Sequence, residues 1–321
     1  MSDRQEWNHT PTTPIIVSPL WQWPPKPYAV FRWYFDTWFW ITINMIIVGL
    51  SVVALFWASP TLEQAAQPGA WILVILLRNL VLTFLVAHGL HLWFHGYSVQ
   101  GTDKKYDPRP FPRQGRIFTG HSQLTDNMIW ALASGVPIWS GFEVLMWWSL
   151  ANGYAPSSTF AASPIWFVAL FFLIPVWESF YFYWIHRALH TNALYRFHAL
   201  HHRNTDVGPW SGLSMHPIEH LMYFGTVLIH FVVPSHPVHV IFHLMFYALT
   251  AITTHTGFEG LWFLGKKRMH LGMFHHQIHH RYFEVNYGNL DVPWDRFFGT
   301  FHDGTAGAKA MMKERLKSRK R

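Results

Sequence analysis

The chain contains no cysteine among its 321 residues. It therefore cannot form disulfides, thiolate zinc sites or iron–sulfur clusters held by its own side chains, and it has no cysteine nucleophile. Imidazole and carboxylate groups are the strong metal ligands that remain. Any metal site in this protein is expected to use histidine, aspartate or glutamate.

Charged residues are also scarce, at 13% of the chain, whereas soluble domains carry about 25%. Half of the residues are hydrophobic, and 19 Trp and 27 Phe are present. This composition is typical of a membrane protein with aromatic rings at the membrane interfaces. The net charge of +7 comes from basic residues that flank apolar segments, which favours contact with anionic lipid headgroups and not with nucleic acid.

Four apolar segments are long enough to cross a hydrocarbon core of about 30 Å. These predicted spans are Trp38–Ala58, Trp71–Phe94, Met128–Leu150 and Ile165–Ile185. Arg78 lies inside the second span, where we expect it either to pair with an internal acid such as Glu143 or to extend toward the interface. The loop 96–127 is basic, and the loops after the first and third spans have no basic residue, so the basic loop is predicted to be cytosolic.

The remaining apolar stretches, Leu221–Pro234 and Val238–Thr254, are short and almost contiguous. They predict a re-entrant or interfacial hairpin. The expected architecture is an all-α, multi-pass integral membrane protein with a cytosolic helical cap. We expect a Pro/Trp-rich cytosolic tail over 1–35, one membrane domain over 36–304 and a basic tail over 305–321.

Histidines are concentrated after the fourth span, with 17 of the 23 lying between His186 and His280. A His-x3-His pair is followed by two His-x2-His-His triplets, and these spacings place the rings on one face of a helix. The eight residues are His186, His190, His198, His201, His202, His276, His279 and His280. One four-coordinate ion does not need eight nitrogens, so the pattern predicts a site for two metals at the cytosolic mouth of the bundle. The histidines at 230, 236, 239 and 243 are interpreted as structural.

These three groups resemble the histidine boxes of the fatty acid hydroxylase (sterol desaturase) superfamily. Further segments resemble its sterol C4-methyl oxidase and sterol C5-desaturase branches. They are His216-Pro-Ile-Glu219, His255-Thr-Gly-Phe-Glu259, Asn286-Tyr-Gly288 and Trp294-Asp-Arg-Phe-Phe-Gly-Thr300. The resemblance covers roughly residues 165–302, with the motifs in the family's order.

The resemblance implies a non-haem centre of two iron ions, held by about ten histidines, that uses O2 to attack an unactivated C–H bond of a lipid. Zinc is an expected substitute in purified protein. The product is an alcohol or an alkene, and hydroxylation is favoured. The substrate alternatives are a sterol, an acyl chain, an ether lipid and a lipid headgroup. Electrons are expected from a separate cytochrome b5-, ferredoxin- or reductase-type donor, and no nucleic acid partner is expected.

The resemblance leaves the tenth ligand open. Relatives that act on acyl chains have a His-x3-His pair where this chain has Ala251 and His255. His216 is preferred over His220 as the replacement. The expected supporting residues around the ligands are His220, Glu219, His275, Asn286, Asp206 and Asp295.

A different class of function is a non-catalytic metal-binding or transport protein. A transporter would place its ligands within the spans near the midplane. Here the histidines begin where the fourth span ends, which favours an enzyme.

Overall fold

The structure, a computed structural model, describes residues 6–35 and 44–318, and these are mainly helical. The α-helices are α1 (Pro27–Phe35), α2 (Met45–Trp57), α3 (Leu62–Ala65), α4 (Trp71–His91), α5 (Gln123–Trp130), α6 (Val136–Ala151), α7 (Pro164–Leu189), α8 (Tyr195–His202), α9 (Pro217–Phe224), α10 (Pro237–Thr254), α11 (Phe274–Tyr282), α12 (Trp294–Phe297) and α13 (Ala306–Ser318). A π-helical turn extends α4 to Gly96, and another joins α5 to α6. A small antiparallel hairpin pairs β1 (Leu261–Phe263) with β2 (Lys266–Met269).

Four helical segments have the length and apolar composition to cross a membrane: Trp71–Gly96, Gln123–Ala151, Pro164–Leu189 and Pro237–Thr254. The first three confirm the second, third and fourth predicted spans. The described part of the first predicted span forms α2, and its residues 38–43 lie outside the described residues. The protein is an α-helical integral membrane protein.

Helix α10 lies at the centre of this bundle. It is 89% buried inside the protein, against 22–39% for the other three segments, and it packs against α2, α4, α6 and α7. Buried residues lie on every face of this helix, so protein and not lipid covers it. The stretches predicted as a hairpin form α9, a 3₁₀ segment (Gly225–Phe231) and α10. The prediction is wrong for the second arm, because α10 is long enough to cross a membrane and belongs to the core, not to the interface.

The two ends of the bundle differ in charge. At one end the hairpin turn meets the uncharged loop 152–163, where Ser158 N donates to Ser235 O over 3.2 Å. At the other end the basic loop packs on the segment that follows α8. There Lys105 Nζ lies 3.0 Å from Asp206 Oδ2, and Arg113 donates to the carbonyl of Arg203 over 2.6 Å. The basic loop and the histidine-rich helices thus share one end.

Arg78 does pair with Glu143, inside the bundle. The Glu143 side chain is fully buried, and Arg78 also donates to Ser59 Oγ over 3.1 Å. We expect Arg78→Met to lower the free energy of unfolding by about 3–5 kcal/mol, because it leaves a buried carboxylate without its partner. Thermal unfolding in detergent measures this effect. The double variant Arg78→Met/Glu143→Leu should recover most of the loss, and a double variant as unstable as the single one would contradict the reason given.

Candidate metal centre

Four helices, α7, α8, α10 and α11, bring the histidines together. His186 and His190 occupy the last turn and C-cap of α7, and His255 is the C-cap of α10. The two triplets lie on α8 and α11, whose i, i+3 and i+4 spacing places the rings on one helical face. Helices of eight or nine residues are unstable in isolation, so tertiary packing holds these two in place.

The rings form two groups. The first contains five histidines and the second four, and in each group one ring nitrogen of every member lies within 4.8 Å of the others. The five-histidine group is His186, His190, His198, His202 and His279. The four-histidine group is His201, His255, His276 and His280. Nine of the ten histidines expected as ligands are therefore brought together.

The closest approaches in both groups are between Nε2 atoms. In the four-histidine group, Nε2 of His255 lies 3.0 Å from Nε2 of His276 and 3.2 Å from that of His280. In the five-histidine group, Nε2 of His202 lies 3.1 Å from that of His190 and 3.0 Å from that of His279. A single Nε2 therefore has several close nitrogen neighbours.

Backbone carbonyls determine which ring nitrogen carries the proton. Nδ1 of His186 lies 2.6 Å from the carbonyl oxygen of Tyr287, and Nδ1 of His255 lies 2.7 Å from that of Ala251. Nδ1 of His279 contacts a carbonyl in the same way. A carbonyl only accepts, so each Nδ1 must donate and each Nε2 presents a lone pair to its group.

The convergent Nε2 lone pairs of each histidine group have a spacing that suits a bound metal ion. Lone pairs 3.0–3.2 Å apart repel unless a cation lies between them. With a metal–nitrogen bond of about 2.1 Å, these separations subtend roughly 90–100° at the metal. That angle suits a coordination number above four better than the roughly 109° of tetrahedral zinc. The residues present therefore fit two ions with several ligands each.

Burial keeps the imidazoles in the form that binds metals. It lowers the pKa of His198 to about 3 and that of His201 to about 4. Both rings are neutral near pH 7 and need lose no proton to bind a cation. Nδ1 of His198 donates to Oε1 of Glu219 over 2.6 Å. Burial raises the pKa of Glu219 to about 8, and metal cations bound close by would favour its ionised form.

Glu219 is thus the carboxylate that orients the His198 ring. We expect Glu219→Gln to lower metal affinity 10–100-fold, because the amide is a weaker acceptor for the His198 ring. Competition with a metal-chelating dye measures the affinity. Glu63→Gln makes the same change on the exposed helix α3 and is the matched control. Equal affinities in the two variants would exclude the orienting role.

The structure does not bring His216 to either group. It is the N-cap of α9, where its Nδ1 accepts from the backbone N of Ile218 over 3.1 Å. His220 uses both ring nitrogens elsewhere: Nε2 donates to the carbonyl of Leu213, and Nδ1 accepts from Ser134 Oγ. Neither residue has the position of a tenth ligand.

The other expected supporting residues act at different distances from the rings. Asp295 accepts from the backbone N of Tyr287 and Gly288, and so positions the carbonyl that orients His186. Asn286 donates to the backbone carbonyl of His275. The His275 ring is buried, and its Nε2 lies 3.8 Å from Oδ2 of Asp295. Asp206 pairs with Lys105 and does not contact the histidine groups.

Sequence reasoning missed two kinds of residue. The backbone carbonyls that orient the rings leave no trace in side-chain patterns. Glu178, which lines the cavity beside the histidines, left a readable signal, because it is the only acid in the predicted span Ile165–Ile185.

The fold and the site together define a class: helical membrane proteins with a buried, all-histidine site able to hold two metal ions. Residues 170–300 match the family model for fatty acid hydroxylase. This match supports the superfamily that its motifs resemble.

The curated relatives are sterol oxidoreductases by name. The chain is 29% identical over 136 residues to the Delta(7)-sterol 5(6)-desaturase of Eremothecium gossypii, covering 42% of this chain and 37% of the relative. It is 32% identical to the human lathosterol oxidase, covering 38% and 41%. It is 31% identical to the C-4 methylsterol oxidase erg25 of Schizosaccharomyces pombe, covering 42% and 47%. The match thus spans less than half of each relative, and no solved structure matches the chain.

Proposed function

We propose that the protein is a membrane-bound, O2-dependent di-iron oxidoreductase that hydroxylates a C–H bond of a lipid. The observation that carries this proposal is the pair of histidine groups whose Nε2 lone pairs converge. The sterol oxidoreductases among its relatives support a lipid substrate.

Two bound iron ions would supply one-electron redox chemistry with O2, which zinc lacks. The nine histidines would hold them, and Glu219 and the carbonyls of Tyr287, Val285 and Ala251 would orient the rings. With no carboxylate in either histidine group, the ions would keep most of their positive charge.

A cavity between α7 and α10 leads to both histidine groups. Its lining includes His186 of the five-histidine group and His255 of the four-histidine group. Its walls include Phe182, Leu189 and Phe246, which exclude water and match an apolar chain or ring system. A lipid in this cavity would present a C–H bond to the space beside the rings.

The donor of electrons is proposed to be a separate cytochrome b5-, ferredoxin- or reductase-type protein. The site is proposed to face the cytosol, because the histidines and the basic loop occupy the same end of the bundle. Protease accessibility of tags placed in the loops 97–122 and 152–163 tests this orientation.

Lipid profiles of the host with and without the gene test the reaction. A product heavier by one oxygen supports hydroxylation. A product lighter by two hydrogens supports desaturation, the second candidate, which the desaturases among the relatives favour. Identical profiles would contradict both.

A non-catalytic metal protein is the alternative of another class. Metal analysis combined with O2 consumption on lipid extracts separates the two. A purified protein that holds one zinc and consumes no O2, even after reconstitution with ferrous iron and a reductant, would overturn the proposal.

A further inference from the structure

Two unpaired polar groups lie in the cavity, away from the histidine groups. Glu178 on α7 is 2% exposed, and neither of its carboxyl oxygens has a hydrogen-bond partner among the described residues. Tyr247 on α10 is 4% exposed, and its hydroxyl likewise has no hydrogen-bond partner in the described part of the chain. Both side chains line the cavity that reaches His186 and His255. An unpaired buried polar group destabilises the fold, so a ligand that pairs with these two is favoured.

The neighbouring His243 contacts only one of the two oxygens of Glu178. Ser235 Oγ donates to the carbonyl of Val233, and so accepts from Nδ1 of His230 over 2.6 Å. Nε2 of His230 then accepts from Nδ1 of His243 over 3.0 Å. Nε2 of His243 therefore has a lone pair, which accepts from Thr226 Oγ1 over 3.2 Å and lies 3.3 Å from Oε1 of Glu178. Glu178 still has an oxygen available to a donor in the cavity.

The two unpaired groups lie at the same level of the bundle. Glu178 precedes His186 by eight residues on α7, and Tyr247 precedes His255 by eight residues at the end of α10. At 1.5 Å per residue, the backbone of each lies about 12 Å along its helix from that of His186 or His255. The helices are adjacent, and the ring of Phe182 on α7 contacts that of Tyr247 at 6.3 Å between centroids.

We propose that Glu178 and Tyr247 bind the hydroxyl group of the lipid substrate. A hydroxyl donates one hydrogen bond and accepts others, so it can donate to the carboxyl and accept from the phenol at once. The stacked rings of Tyr223 and Tyr247, 3.8 Å apart and nearly parallel, offer a flat wall to the rest of the molecule. This inference rests on the proposed function and narrows its substrate to a sterol or long-chain alcohol.

This hydroxyl-binding pair, Glu178 and Tyr247, is called the anchor. It also determines which carbon of the lipid reacts. With the hydroxyl held about 12 Å from the histidine level, the C–H bond presented there belongs to a carbon remote from the hydroxyl. Carbons one or two bonds from the hydroxyl do not reach the rings. In any alcohol that the enzyme converts, fragmentation mass spectrometry should find the new oxygen or double bond far from the original hydroxyl.

Binding of dehydroergosterol and of its 3-deoxy analogue, which can neither donate nor accept at that carbon, tests the anchor without turnover. Energy transfer from tryptophan to the sterol measures both affinities in purified protein. The wild type should bind the alcohol about tenfold more tightly than the deoxy analogue, as expected for two lost hydrogen bonds. Glu178→Leu and Tyr247→Phe should each reduce this ratio to about 3, and the double variant to about 1. Tyr181→Phe is the matched control for the ratio, because it removes a phenol of α7 that does not line the cavity and that donates to the carbonyl of Met222.

Hexadecan-1-ol and hexadecane, used as competitors, separate the two sources of the hydroxyl. Displacement by the alcohol but not by the alkane shows that straight chains share the anchor, and displacement by neither restricts it to sterols. Equal affinities for the alcohol and the deoxy analogue would overturn the anchor. So would an affinity ratio that the variants leave unchanged, or no binding of any alcohol. Hydroxyl-selective binding by a protein that oxidises no lipid would instead refute the proposed function and leave the anchor standing. Unchanged metal content and gel-filtration elution show that the variants are folded.

Discussion

The His255→Ala variant should hold about one metal ion per chain where the wild type holds about two. His255 is one of only four members of its group, and its Nε2 contacts two of the other three. Its removal leaves three rings, too few for a site whose angles suit more than four ligands. His190→Ala, by contrast, leaves four rings in the five-histidine group and should retain more metal.

Metal analysis of detergent-purified variants measures this difference, and lipid oxidation should fall at least about 100-fold in His255→Ala. His121→Ala removes an exposed ring outside both groups and is the control. In His255→Gly, added imidazole should restore part of the metal content, because it fits the space that the side chain leaves. Two ions retained by His255→Ala would contradict the assignment of this group.

Chelated protein should lose stability steeply as the pH falls from about 6.5 toward 4. The folded pKa values of His198 and His201 are about 3 and about 4, against about 6.5 in an unfolded chain. In that window the unfolded state binds more protons, so acid favours unfolding. Each such ring contributes about 1.4 kcal/mol per pH unit, and the two together about 3 kcal/mol.

Thermal unfolding with and without chelator, at pH 7.5, 6.5 and 5.5, measures the effect. Metal-loaded protein should unfold at higher temperature at pH 7.5, because the ions bind the folded state only. It should lose this advantage in acid as protons compete for the rings. The chelated His201→Gln variant should show a shallower pH dependence, since it carries one fewer depressed histidine. A midpoint that does not change between pH 6.5 and 5.5 would rule out buried neutral imidazoles as the cause.

The histidine boxes were readable because their chemistry is local. The spacing of His198, His201 and His202 requires only a helix to place the rings on one face, and helical geometry is independent of the rest of the fold. The spans were readable for a similar reason, since about 20 apolar residues in a row satisfy a bilayer whatever their neighbours are. Arg78 and Glu143 paired as expected, because a buried charge needs a partner and the bundle offers few.

The hairpin was harder to place. Apolar content alone does not distinguish a helix that faces lipid from one that protein surrounds, and α10 proved to be the buried one. His216 shows the same limit: its position next to Pro217 suits a helix N-cap as well as a ligand, and only the packed structure distinguishes the two.

By itself the sequence determined the membrane class, the histidines of the candidate metal site and the superfamily that it resembles, because each depends on composition or on short spacings. Only the tertiary structure decided how nine rings divide into groups of five and four, which carbonyls fix their tautomers, and that Glu178 and Tyr247 share a cavity with them. Those contacts join residues as much as 101 positions apart, as in His186 and Tyr287. Such distances are set by how helices pack, and no local pattern in the chain encodes them.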